Sequence, residues 1–158
     1  MTTPQLVGAA RGSSRNTILL AEDDFNDIVL MKKAFAGSHL SCHLQVVRDG
    51  VEAIAYLAGD GPYSNREQFP LPCVLVLDLK LPRKNGLEVL EWVRANESSL
   101  SRLPVVMLTS SAQPADINRA YELGVNSYLV KPASFRELVE LVSSLDDFWF
   151  SHCERPRM

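Results

Sequence analysis

The chain has little of what would tie it to an oxidising compartment, a membrane or a nucleic acid. Its 158 residues include three cysteines, Cys42, Cys73 and Cys153, odd in number and far apart. That spacing argues against a disulfide framework or a CxxC metal or redox site and makes a reducing cytoplasm the simplest setting. No apolar run approaches the ~18 residues of a membrane span. Residues 1–16, MTTPQLVGAARGSSRN, lack a signal core and read as a mobile tail on a soluble protein. Sixteen Lys and Arg against nineteen Asp and Glu leave a net charge of −3. The basic residues are scattered and form no stripe, which argues against direct contact with DNA or RNA. Internal repeats and low-complexity blocks are absent, as is the GxxxxGK[ST] loop of a P-loop nucleotide enzyme. His39 and His43 lie four apart, but Gly37 and Ser38 between the preceding helix and His43 imply a helix end, against a His-Cys metal site.

What is present is 46% hydrophobic residues, enough for one globular domain with a substantial core and too short a chain for a comfortable second one. From Thr17 onward, short apolar runs alternate with segments of helical period, the pattern of β/α units around a parallel sheet. Ile18 to Ala21 is too uniformly apolar to have a wet face, as expected where helices cover both sides of a sheet. Asn26 or Asp27 can cap a helix carrying Ile28, Met31 and Phe35. His43 to Arg48 alternates as a second strand, and Val51 to Leu57 reads as a short helix. The loop GDGPYSNREQFPLP that follows is long for such a connection, and is either a partner-binding loop or slack. Cys73 to Leu77 is the central strand, Leu87 to Ala95 a helix, and Pro104 to Leu108 a fourth strand. Pro114 opens a helix to Leu123 that Gly124 terminates. Ser127 to Val130 is a fifth strand. Ser134 and Glu137 make the S-x-x-E capping box of a last helix whose apolar set is Leu138, Leu141, Val142, Leu145, Phe148 and Trp149. Five such units fit a doubly wound α/β three-layer sandwich, with a parallel sheet of order 2-1-3-4-5.

In such a sheet ligands bind outside the carboxyl ends of the strands, and there the polar residues of this chain collect. The first strand runs into Asp23 and Asp24, the third into Asp78, the fourth into Thr109 and the fifth into Lys131. With strands one and three adjacent, Asp23, Asp24 and Asp78 converge on one crevice. Three close carboxylates repel one another, and a hard divalent cation such as Mg²⁺ resolves the conflict with oxygen ligands. Acids with Mg²⁺, a lysine and a threonine hydroxyl form a site for a phosphoryl group. Taken singly, each residue has a plainer role as turn former, helix cap or surface charge. Their conjunction at the ends of different strands carries the functional reading.

The motifs LLAEDD at 19–24, VLVLDLKLPRKNG at 74–86, VVMLTSSA at 105–112 and GVNSYLVKP at 124–132 resemble, in type and order, those of a bacterial response-regulator receiver domain. The resemblance covers about residues 16 to 150 and implies a flavodoxin-like, CheY-like fold, with residues 17–150 as the receiver domain and 151–158 as a short tail. It implies that Asp78 is the phosphoacceptor, attacking a phosphohistidine on a partner histidine kinase, so that the chain is a signalling protein and not an enzyme acting on other substrates. It further implies that Asp24, Asp78 and the backbone carbonyl of Lys80 ligate Mg²⁺, with Asp23 acting through water. Thr109 corresponds to the hydroxyl that meets the phosphoryl group, Lys131 to the lysine that pairs with it, and Pro132 to a proline after a cis peptide bond. Tyr128 corresponds to an aromatic switch, and is equally readable as a half-exposed strand tyrosine. The face built from the fourth helix, fifth strand and fifth helix is the expected readout.

Lys80 and Ser111 occupy positions that vary in that family and tune phosphoryl lifetime; Lys80 either neutralises phosphate charge or points to solvent. Lys80 also stands where a haloacid-type hydrolase needs its second Asp. The chain ends one helix after Lys131, so the expected output is a protein contact or onward phosphoryl transfer. The long loop, DLKLPRKNG and the closing Asp-Asp-Phe-Trp-Phe resemble the small receivers paired with bacterial phytochrome kinases. Phe148, Trp149 and Phe150 cannot all face inward on one helix, and a homodimer through that helix is expected. The competing reading is a receiver-like adaptor that is never phosphorylated.

Overall fold

The computed structural model describes residues 17–37 and 42–146. Five parallel strands, β1 (Thr17–Ala21), β2 (His43–Val47), β3 (Val74–Leu77), β4 (Val105–Thr109) and β5 (Ser127–Val130), form one sheet of order β2-β1-β3-β4-β5. Helices α1 (Phe25–Ala36), α2 (Gly50–Ala58), α3 (Gly86–Ala95), α4 (Pro114–Glu122) and α5 (Phe135–Asp146) follow them in turn. The doubly wound order read from the sequence is the order observed.

Alternation along each strand divides the core in two. Ile18, Leu20, Val74, Val76, Val106 and Leu108 face Met31, Ala34 and Phe35 of α1 and Leu138 and Val142 of α5. Leu19, Ala21, Leu75, Leu77, Val105 and Met107 face α2, α3 and α4 through Tyr56, Leu57, Val89, Leu90, Val93 and Ala120. β1, β3 and β4 are buried on both faces, which is why they read as unbroken apolar runs.

Local caps set the helix boundaries. The cap of α1 is Asp24, not Asn26 or Asp27: its carboxylate accepts the Asp27 N–H at 3.0 Å. Asn85 and Glu88 form a reciprocal capping box on α3. Ser134 Oγ accepts the Glu137 N–H at 3.2 Å at the start of α5.

The long loop after α2 is packed, not slack. Tyr56, Tyr63 and Phe69 make a ring cluster with centroids 5.0 to 5.9 Å apart. Arg66 donates to the carbonyls of Tyr56 at 2.7 Å and Leu57 at 2.8 Å, so a loop guanidinium satisfies the open end of α2. The Tyr56 hydroxyl ties in Pro70 at 2.8 Å. Aromatics spread over fourteen positions of sequence show this packing only once the chain folds back. Residues 148–150, and with them the expected aromatic contact, lie outside the described residues, as does His39.

Candidate functional site

Three of the strands that feed the crevice, β1, β3 and β5, continue their ladders by one residue, which puts the site on a rigid mount. The Glu22 N–H bonds to the Val47 carbonyl at 3.0 Å, that of Asp78 to Ala21 at 3.0 Å, and that of Lys131 to Thr109 at 2.8 Å. The backbones of Glu22, Asp78 and Lys131 are thereby held before their side chains do anything.

Register decides which acids meet. Ala21 pairs with Leu77, so the residue facing Asp78 across the ladder is Glu22, one beyond Ala21. The carboxylates of Glu22, Asp23 and Asp78 lie within 4.8 Å of one another. Asp24, expected among the ligands, is not in this group. Its side chain faces the first turn of α1 as the N-cap, where it meets the positive end of the helix. The acidic set is therefore shifted by one residue from the expectation, because the strand ends at Ala21 and the turn into α1 begins immediately. Asp23 is exposed at the crevice mouth and Asp78 is buried at 7% exposure.

Lys131 bridges the group. Its Nζ lies 2.5 Å from Glu22 Oε1, 2.7 Å from Asp27 Oδ2 and 3.3 Å from Asp78 Oδ2. Burial alone pushes this ammonium's pKa down, but the bonds to Asp27 and Glu22 and the charge of Asp78 more than reverse that, so Lys131 stays charged. Asp27 was legible only as a cap candidate. Three residues into the turn that Asp24 caps, it faces back over the strand ends. Glu22 stood in the quoted motif, yet nothing local separates its role from those of the two aspartates after it.

Burial raises the Glu22 carboxyl to about 7 from an ordinary 4.5, the Asp78 charge adding to it and Lys131 opposing. Between these values the native state holds a proton that the unfolded chain has released, so stability falls as pH rises through the window. In the presence of a chelator, the chain is expected to be more stable near pH 5 than near pH 7.5 with respect to this group. The difference is on the order of 2–3 kcal/mol. Glu22→Gln should remove that component. Urea titrations of both proteins at several pH values check it, and parallel pH profiles would refute it.

Thr109 is fully buried, and its Oγ1 accepts the Ser111 N–H at 3.4 Å. Tyr128 is half-buried against the α3/α4 side of the core, and its hydroxyl donates to the Ser111 carbonyl at 2.9 Å. The Lys80 side chain is exposed, while its backbone N–H approaches Asp78 Oδ1 at 3.5 Å. The described residues contain no cis peptide bond, so the bond before Pro132 is trans, contrary to expectation. Lys131 is held through its three carboxylate partners.

The donors of this crevice are all oxygens, as a hard divalent cation requires, and a cation there would neutralise the carboxylates that now depend on one lysine. Among the described residues, no helix is long and apolar enough to cross a membrane.

The rest of the chain matches known proteins in the same way. Rcp1, a response regulator of Synechocystis, is 38% identical over 139 residues, covering 88% of this chain and 92% of Rcp1. A solved Mn²⁺-bound form of Rcp1 superposes with a TM-score of 0.80 at 37% identity over 90% of this chain and 99% of the other. The phosphorylated cyanobacterial phytochrome response regulator RcpA gives a TM-score of 0.83 at 38% identity, covering 90% and 99%. The bacteriophytochrome response regulator RtBRR is 46% identical, with a TM-score of 0.71 and coverage of 90% and 84%. Residues 18–143 match the family described as the response regulator receiver domain. With its sheet order and its acid, threonine and lysine at successive strand ends, the chain belongs to the response regulator receiver domain family.

Proposed function

We propose that the chain accepts a phosphoryl group on Asp78 from a phosphohistidine of a partner kinase, in a Mg²⁺-dependent reaction, and signals by protein contacts. The observation that carries this is the setting of Asp78: a buried carboxylate at the end of the central strand, beside two further acids and under the Lys131 ammonium. An Asp78 oxygen forms the new bond to phosphorus as the phosphorus–nitrogen bond breaks and the imidazole leaves. Lys131, fixed by Glu22 and Asp27, holds positive charge where the phosphoryl oxygens gather. Thr109 offers its hydroxyl from the neighbouring strand end.

Asp23, Asp78 and the Lys80 backbone carbonyl would hold Mg²⁺, with Glu22 behind them and Asp24 left to its cap. Bound there, Mg²⁺ supplies charge neutralisation to the transferring group. An apolar groove between α1 and α5, lined by Leu30, Met31, Pro132, Phe135 and Leu138, opens beside Lys131 and gives a donor protein a surface next to the acceptor. RcpA and RtBRR, two solved structures that this chain resembles, are named as phytochrome and bacteriophytochrome response regulators, which supports a phytochrome-type kinase as that donor.

Incubation with Mg²⁺ and a small phosphodonor is expected to add one phosphoryl group by mass to the wild type and none to Asp78→Asn. An unmodified wild type, with a cognate kinase also supplied, would leave the non-phosphorylated adaptor. The same reading includes a homodimer through α5 and the α4–β5–α5 face, where Tyr121 and Val130 are exposed. Sedimentation over a range of concentrations checks it, and a monomer throughout would discard it.

A further inference from the structure

The four residues between β4 and α4, Ser110 to Gln113, have no regular structure, and three of them are exposed. Ser111 is the exception, at 8% exposure. Its Oγ donates to Asp116 Oδ2 at 2.6 Å, and accepts the Gln113 N–H at 3.3 Å. Its carbonyl accepts the Tyr128 hydroxyl at 2.9 Å, and its N–H reaches Thr109 Oγ1 at 3.4 Å. One residue thus touches both Thr109 and Tyr128 through its backbone, and its side chain is anchored to α4.

We infer that Asp116 is a positioning residue for Tyr128: by holding Ser111 it fixes the carbonyl on which the Tyr128 hydroxyl rests. This inference rests on the switch role given to Tyr128 above. Asp116 occupies the third position of α4, which Pro114 opens and no side chain caps. A carboxylate there is favoured by the helix dipole, and that alone would explain an acid without Ser111. The 2.6 Å bond adds direction. A short bond from a hydroxyl to an ionised carboxylate is among the stronger hydrogen bonds available, and it fixes the rotamer of a residue in a loop without regular structure.

The consequence runs to the surface. The Tyr128 backbone N–H donates to the Tyr121 hydroxyl at 3.3 Å, and the Tyr121 side chain is exposed on α4. Fixing Ser111 therefore sets where Tyr128 sits between the acceptor side and the α4–β5 face. Loosening it frees Tyr128 to move outward and changes what a partner meets.

The test uses the full chain labelled with 3-fluorotyrosine, whose four tyrosines give four fluorine signals. Tyr128→Phe assigns the one of interest. Spectra are recorded before any phosphodonor is added. Asp116→Ala and Ser111→Ala are expected to shift the Tyr128 signal towards that of free tyrosine, with the inward-to-outward ratio falling about ten-fold or more. Asp116→Asn keeps an acceptor oxygen and should stay closer to the wild type than Asp116→Ala does.

A purely structural Asp116 would lower Tm and leave the Tyr128 signal in place. An unmoved signal in both alanine variants overturns the inference. So does an Asp116→Asn spectrum displaced as far as that of Asp116→Ala, which would make charge and not the bond responsible. Should Asp116→Ala fail to fold, Ser111→Ala, which keeps the carbonyl, decides alone. Failure of phosphoryl uptake at Asp78 would sink the receiver mechanism without touching this signal.

Discussion

Replacing Lys131 with methionine is expected to destabilise the chain by about 3–5 kcal/mol at neutral pH, the scale for removing one partner of a buried ionic cluster. The size follows from what remains. Glu22 and Asp78, with side chains 3% and 9% exposed, would face each other and Asp27 with no cation among them. Methionine has nearly the length of the lysine stem and keeps its packing, so the loss reports the ammonium. The deficit should shrink on acidification, because Glu22 takes up its proton near pH 7 even with the lysine present and more readily without it. Added Mg²⁺ should restore part of the stability. Urea unfolding at pH 5 and pH 7.5, with chelator and with Mg²⁺, measures all three effects. A loss under about 1 kcal/mol at pH 7.5 would place Lys131 among ordinary surface ion pairs.

Gly86→Ala is the second large effect. A Cβ at residue 86 would lie 2.3 Å from the Asp78 carbonyl oxygen, 2.9 Å from Leu79 Cα and 3.0 Å from the Asp78 carbonyl carbon. All three are backbone atoms, so no side chain can swing away and either α3 or the Asp78–Leu79 peptide must move. The Gly86 N–H also bonds to the Leu79 carbonyl at 2.8 Å, which ties the start of α3 to the segment just past Asp78. A loss of about 3 kcal/mol or more in unfolding free energy is expected. Phosphoryl uptake should slow by more than the unfolded fraction explains, because the displaced peptide carries Asp78, the proposed acceptor. Gly61→Ala is the control: nothing lies within 4 Å of its added Cβ, and only the φ of +54° opposes it. That change should cost about 1 kcal/mol and leave uptake alone. Equal losses in the two variants would show that the contact at Gly86 yields.

The elements were legible because their signals are local. Helical period over Ile28, Met31 and Phe35, or the unbroken run from Val74 to Leu77, requires no knowledge of the partner strand. Pro114 and Ser134 mark helix starts by chemistry confined to one turn. Asp78, the proposed acceptor, was legible too, since an aspartate directly after a fully buried strand stands out in any arrangement. The aromatic loop was not, because Tyr56, Tyr63, Phe69 and Arg66 acquire meaning only from one another.

The amino-acid order alone thus determined the doubly wound class and placed Asp78, Thr109 and Lys131 at the ends of three neighbouring strands, where the proposed chemistry would lie. Which two of three consecutive acids join Asp78 in the crevice was decided by the tertiary structure. The pairing of Ala21 with Leu77 is a non-local fact, and one step of register turns Glu22 towards Lys131 and leaves Asp24 to cap α1. The same holds for Asp27 under Lys131 and for Asp116 under Ser111. Each is an ordinary first-turn acid in sequence, and acquires a partner only because packing brings a strand end or a loop to its carboxylate.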